Sequence, residues 1–132
     1  MNKKILLVDD DVDVCNLLSA LIRDEGYIVD NTSDSQQGAL LIEKNTYNAC
    51  IFDYKMKGLN GIDLLRLAKN KNPQCIVFII SGMLDIEMLR GDEDVDNLVA
   101  GIISKPFDID ALLQKIRSIK APSLGESSKS TA

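Results

Sequence analysis

Five short apolar runs punctuate the chain, and between them apolar residues recur at spacings of three and four. Ile5 to Val8 reads as a buried strand that ends on Asp9, Asp10 and Asp11. The segment after it carries Val14, Leu17, Leu18, Leu21 and Ile22 at helical spacing, with the aspartates available as caps and Gly26 as the stop. Tyr27 to Val29 predicts a short second strand ending at Asp30-Asn31. Ser33 and Gln36 have capping-box spacing and open a predicted helix through Ala39, Leu40 and about Glu43.

The third run, Ala49 to Phe52, stops on Asp53. A loop with Gly58 and Asn60-Gly61 leads into a helix bearing Ile62, Leu64, Leu65 and Ala68, which Asn72-Pro73 ends. Cys75 to Ile80 is the most continuous β-rich stretch and suits a central strand covered on both faces, ending at Ser81-Gly82. Between Leu84 and Val99, Ile86, Leu89, Val95 and Leu98 permit a helix, while Gly91 and the acidic run Asp92-Glu93-Asp94 weaken its middle; a broken or mobile helix with a solvated acidic face is expected. Gly101 to Ser104 is a short fifth strand, Lys105-Pro106 breaks it, and Ile109, Leu112, Leu113 and Ile116 mark a last amphipathic helix.

Strand and helix alternate five times, which predicts an α/β fold: a doubly wound, five-stranded parallel sheet with helices on both faces and right-handed crossovers. In the flavodoxin-like order 2-1-3-4-5, ligands sit beyond the carboxyl ends of the strands, between strands one and three.

Composition narrows the function classes. A chain of 132 residues, 45% hydrophobic and 27% charged, fits one domain that buries roughly two thirds of its unfolded surface. Residues 1–120 carry the pattern; 121–132, rich in Ser, Gly and Pro, read as a disordered tail or a truncated linker. Cys15, Cys50 and Cys75 lie in apolar stretches without a CxxC spacing and read as reduced core thiols of a cytoplasmic protein. The first apolar run is too short for a signal peptide or a membrane span. Without histidine the chain has no histidine general base and no Ser-His-Asp triad. A net charge of -5 with scattered Lys and Arg argues against nucleic-acid binding by this domain alone.

The predicted strand ends bring together Asp9, Asp10, Asp53, Ser81 and Lys105. Carboxylates this close repel, and a hard divalent cation such as Mg²⁺ is the natural neutraliser. Lys105 and Ser81 suit the oxygens of a phosphoryl group in transfer, with Asp53 as the carboxylate acceptor that forms an acyl phosphate. Each residue alone reads more readily as a cap, a turn former or a solvated strand end; four strand ends carrying such residues together favour the chemical reading.

These residues carry a resemblance over about Lys3 to Lys120. Leu6-Leu7-Val8-Asp9-Asp10-Asp11, Asp53 with Gly58 and Gly61 downstream, Ser81-Gly82 and Lys105-Pro106-Phe107 are similar to the motifs of a receiver domain of the two-component response-regulator family. The resemblance implies that Asp53 accepts a phosphoryl group from a histidine kinase or histidine phosphotransfer protein, and that Asp9, Asp10, Asp53 and the backbone carbonyl of Lys55 surround Mg²⁺. It implies that Ser81 and Lys105 follow the phosphoryl group, that Lys105-Pro106 is cis, and that signalling proceeds through the fourth helix, fifth strand and fifth helix, where a homodimer can form. The domain is then a phosphoacceptor that catalyses its own phosphotransfer and slow dephosphorylation, not a conventional enzyme.

The chain departs from the family pattern in places. Ile102 stands where an aromatic switch residue is usual, Lys57 where a proline is common, and the segment between Ser81 and Lys105 is slightly long. Lys55 and Met83 occupy the two positions that tune dephosphorylation in the family, and their bulk predicts a long-lived phosphorylated state. Two rival functions remain. One is a receiver-like interaction module that works without phosphate; the other is a haloacid-dehalogenase-type phosphatase built on Asp9-Asp10-Asp11, for which Asp13 is atypical and a cap domain has little room.

Overall fold

The computed structural model describes residues 3–120. The predicted tail at 121–132 lies outside them. The elements run β1 (Lys4–Val8), α1 (Val12–Asp24), β2 (Ile28–Thr32), α2 (Ser35–Lys44), β3 (Ala49–Asp53), α3 (Gly61–Lys71), β4 (Ile76–Gly82), α4 (Met83–Arg90), α5 (Glu93–Leu98), β5 (Gly101–Lys105) and α6 (Ile109–Lys120). The strands form one sheet in the order β2-β1-β3-β4-β5, and every neighbouring pair is parallel, as the alternation predicts.

Because a strand turns successive side chains to opposite faces, the continuous apolar runs feed two cores at once. Ile5 and Leu7 of β1 join Leu18 and Ile22 of α1 and Leu112 and Ile116 of α6 on one face. Leu6 and Val8 join Ile42 of α2, Leu64 and Leu65 of α3, and Leu89 and Val95 on the other. A strand with polar alternation would have left one of these faces without a core. Among the described residues, no helix is long and apolar enough to cross a membrane. The three cysteines are free and buried, with the sulfurs of Cys50 and Cys75 3.6 Å apart.

The structure corrects several boundaries. β2 begins at Ile28 and continues through Asp30, Asn31 and Thr32, because at this sheet edge the backbone ladder to Lys4–Val8 carries the strand past its apolar residues. α2 is capped by Asp34, whose carboxylate accepts from the Gln36 N–H at 2.9 Å; the Ser33/Gln36 capping box does not form. A capping box closes α3 instead, between Asn60 and Asp63. Ser81 and Gly82 belong to β4, paired with Ser104 and Lys105, so the hydroxyl is held inside the sheet.

The expected broken helix is two helices, α4 and α5, so the last helix is the sixth. Its acidic run is not merely solvated. Asp92 caps α5, accepting from the backbone of Asp94 and Val95, and Asp94 pairs with Arg66 of α3 at 2.7 Å. These contacts let a weak helical sequence fold onto α3.

Leu64 is fully buried in the second core. Leu64→Ala is expected to lower the unfolding free energy by about 2–5 kcal/mol, measured by chemical denaturation.

Candidate functional site

Asp9 follows the last residue of β1, and Asp53 is the last residue of β3. The pairing of Val8 with Phe52 brings the two strand ends level. Asp9 is completely buried and Asp53 is 5% exposed, while the neighbouring Asp10 is exposed. One oxygen of Asp9 accepts the Asp11 N–H at 3.0 Å; Asp11 itself caps α1. The other, Oδ2, is sealed from solvent and lacks a hydrogen-bond partner among the described residues.

Lys105, at the end of β5, reaches across two strands to this pair. Its ammonium lies 3.3 Å from Asp53 Oδ1 and 3.7 Å from Asp9 Oδ2. One cation thus faces two buried carboxylates. Burial pushes the Asp53 carboxyl up to about 6; the charge on Asp9 adds to this and Lys105 opposes it. Asp9 is also raised, chiefly by burial, against the hydrogen bond from Asp11 and the charge of Lys105. Both shifts report carboxylates removed from water without enough positive charge.

Asp9, Asp10 and Asp53 can each offer an oxygen within 4.8 Å of the others. The donor set is all oxygen and anionic, one oxygen is orphaned, and the third carboxylate opens to solvent. That combination fits a small hard cation that keeps some of its waters, of which Mg²⁺ is the type case. The loop after Asp53 closes against the strand end: Gly61 N–H donates to the Tyr54 carbonyl, and a Cβ on Gly61 would stand 2.7 Å from the Asp53 carbonyl oxygen. Only glycine permits this approach.

The other sequence-predicted positions divide. Ser81 is buried near the end of β4 and its hydroxyl donates to the Gly82 carbonyl at 3.0 Å, turned into its own backbone. The Lys105-Pro106 peptide is cis. Ile102 is half-buried in β5, opposite Ile79, and packs on the second core. Met83 opens α4 and is largely exposed. Lys55 extends outward and its ammonium pairs with Asp85 of α4 at 3.4 Å, linking the loop after β3 to α4 across 30 positions of sequence.

Two participants were not visible in the sequence. Asp85 carries no local motif, and its place follows only from the fold of α4. Ser35, the first residue of α2, is buried against the loop after Asp53; its neighbour Asp34 signals a helix start, but nothing local signals the loop contact.

The family model for the response regulator receiver domain matches residues 5–117. The regulatory protein VanRB of Enterococcus faecalis is 31% identical over 120 residues, covering 90% of this chain and 53% of that protein. Sporulation initiation phosphotransferase F of Bacillus subtilis is 27% identical over 117 residues, covering 89% and 93% respectively. Among solved structures, the receiver domain of NtrX from Brucella abortus superposes with a TM-score of 0.79 at 28% identity, over 90% of this chain and 99% of that one. The chain therefore spans about half of VanRB and nearly all of the Bacillus protein.

The raised Asp53 carboxyl has a thermodynamic consequence. Its folded value, about 6, lies above the ordinary 3.8, so between these values the folded state holds a proton that the unfolded state has lost. Stability associated with this group is full at low pH and falls as pH rises toward 6. In metal-free buffer Asp53→Asn is expected to be more stable than wild type above pH 6, by on the order of 2 kcal/mol. Paired thermal melts should show the gap widening from about pH 4 to about pH 6 and then levelling.

Proposed function

The chain belongs to the response regulator receiver family, and on that footing we propose that Asp53 accepts a phosphoryl group in a Mg²⁺-dependent reaction whose outcome is a change of conformation. The observation that carries this reading is the Lys105 ammonium between two buried carboxylates, one of which has an oxygen without a hydrogen-bond partner among the described residues. Such a centre has an excess of negative charge before any substrate arrives. It is suited to hold a cation and, through that cation and Lys105, a phosphoryl group.

The donor is a phosphohistidine of a histidine kinase or a phosphotransfer protein. An Asp53 oxygen attacks phosphorus in line, the bond to the donor's imidazole nitrogen breaks, and the nitrogen leaves with its electron pair; the product is an aspartyl phosphate. Asp9, Asp10, Asp53 and the Lys55 carbonyl would hold Mg²⁺, which when bound supplies charge neutralisation for the phosphoryl oxygens. Asp53 loses its proton below neutral pH, so it is ionised and ready to attack at pH 7. Its position 5% exposed at a strand end limits access to one side. Lys105 is placed to pair with a phosphoryl oxygen as its hold on Asp53 is relaxed.

The Ser81 hydroxyl then has a new acceptor in competition with the Gly82 carbonyl. Its turn toward the phosphoryl group would draw the end of β4, which continues directly into α4. Met83, Leu84 and Met88 stand outward on α4, and Leu84 is 97% exposed. An apolar surface here, continued by β5 and α6, would serve a partner or a second copy. Ile102, packed on the second core beside Ile79, replaces the aromatic switch with an aliphatic contact. Lys55 and Met83, two places after Asp53 and Ser81, slow hydrolysis of the acyl phosphate by their bulk.

Acetyl phosphate with Mg²⁺ is expected to add one phosphate to the wild type by mass spectrometry, and none to Asp53→Asn or to wild type in chelator. No adduct on the wild type would sink the reading and leave the interaction module; turnover of a phosphate ester that needs Asp9 and survives Asp53→Asn would point to the phosphatase. In the double variant Lys55→Ala, Met83→Ala, phosphate release is expected to accelerate roughly tenfold, a barrier change of about 1.4 kcal/mol. Unchanged release would remove these two side chains from the account.

A further inference from the structure

The loop between β3 and α3 carries the Lys55 carbonyl, yet its middle makes few backbone hydrogen bonds of its own. At one end the Tyr54 N–H donates to Ile80 and the Gly61 N–H donates to Tyr54; at the other the Asn60–Asp63 capping box holds the helix start. Between them, from Lys55 to Leu59, both hydrogen bonds made by the backbone of described residues are to the Ser35 side chain. Its hydroxyl donates to the Lys57 carbonyl at 2.7 Å and accepts the Leu59 N–H at 3.0 Å.

These two contacts straddle Gly58, which adopts φ +79°, and a Cβ at Gly58 would come 3.0 Å from the Ser35 oxygen. The hydroxyl therefore fixes the peptide planes on both sides of the loop's left-handed residue. It does so from a stiff support. Asp34 caps α2 and is itself held by the Thr32 hydroxyl, and the Gly38 backbone sits so close to β1 that a Cβ there would stand 3.0 Å from a Val8 methyl. Ser35 is 2% exposed, so water does not compete for its hydroxyl.

We infer that Ser35 is a positioning residue for the phosphorylation site: from the first turn of α2 it holds the β3–α3 loop in the shape that presents the Lys55 carbonyl to the cation site. This rests on the reading of Asp9, Asp10, Asp53 and the Lys55 carbonyl as that site, and adds to it a residue 18 positions upstream of Asp53, on α2. Without the hydroxyl, the Lys57 carbonyl and Leu59 N–H lose their shared partner and the loop samples other conformations. A metal-ligand support of this kind acts on affinity without touching the ion.

The test is Ser35→Ala, with alanine at a helix position it favours. Titration with magnesium chloride, followed by amide chemical shifts at the site, is expected to show roughly tenfold weaker binding than wild type. Amide exchange at Leu59 should quicken at least roughly tenfold, while amides of the β1 core stay protected. Gly58→Ala, which crowds the same hydroxyl from the loop side, should weaken magnesium in the same direction. A Ser35→Ala protein that melts lower but binds magnesium like the wild type would overturn the inference and leave the functional reading standing. A wild type that binds no magnesium would overturn both.

Discussion

Two carboxylates sealed at the end of a parallel sheet, with one ammonium to balance them, set the conditions for everything around them. Asp9 is fully buried and Asp53 nearly so, and Lys105 approaches both. Removing a carboxylate from water costs several kcal/mol unless it is paired and hydrogen-bonded. Here one oxygen of Asp9 has no hydrogen-bond partner among the described residues, and Asp53 holds its proton to about pH 6. A protein maximising stability would place apolar residues there. Under the proposed function, that deficit of positive charge is what a cation and a phosphoryl group would offset.

The fold is what brings this charge together. Parallel strands paired at Val8 and Phe52 place two carboxylates side by side, and β5 delivers Lys105 from the far side of β4. No local segment holds more than two of these groups. Rigid features around them keep the geometry: Gly61 against the Asp53 carbonyl, the Asn60 capping box, and Ser35 across Gly58. Lys55 and Asp85 add a looser tie between the loop and α4, exposed enough on the lysine side to contribute little stability yet able to orient the side chain.

The strand–helix alternation and the acidic strand ends were legible because they rest on strong local signals, while the strand order came from the fold class that alternation implies. Apolar runs that feed two faces stop abruptly on Asp9 and Asp53, and that punctuation survives without any tertiary information. What could not be read depends on contacts distant in sequence. β2 extends over Asp30, Asn31 and Thr32 because β1 offers them a ladder, not because they favour a strand. The Ser33/Gln36 spacing lost to Asp34, an equally favoured cap one residue later whose carboxylate takes the Gln36 N–H. The acidic run at Asp92 takes its meaning from Arg66 on another helix. Ser35 is a common helix-start residue until the loop folds over it. The cis Lys105-Pro106 peptide came from resemblance, since a lysine before a proline says nothing by itself of its isomer.

The central claim, that the charge-deficient pocket exists to phosphorylate Asp53, is tested most directly by locating the acyl phosphate itself. Borohydride reduces an aspartyl phosphate to homoserine and leaves free carboxylates intact. Protein treated with a phosphohistidine donor and magnesium, then reduced, digested and sequenced by mass spectrometry, should carry homoserine at position 53 and retain aspartate at 9 and 10. Homoserine at position 9 or 10, or at none of the three, would contradict the account.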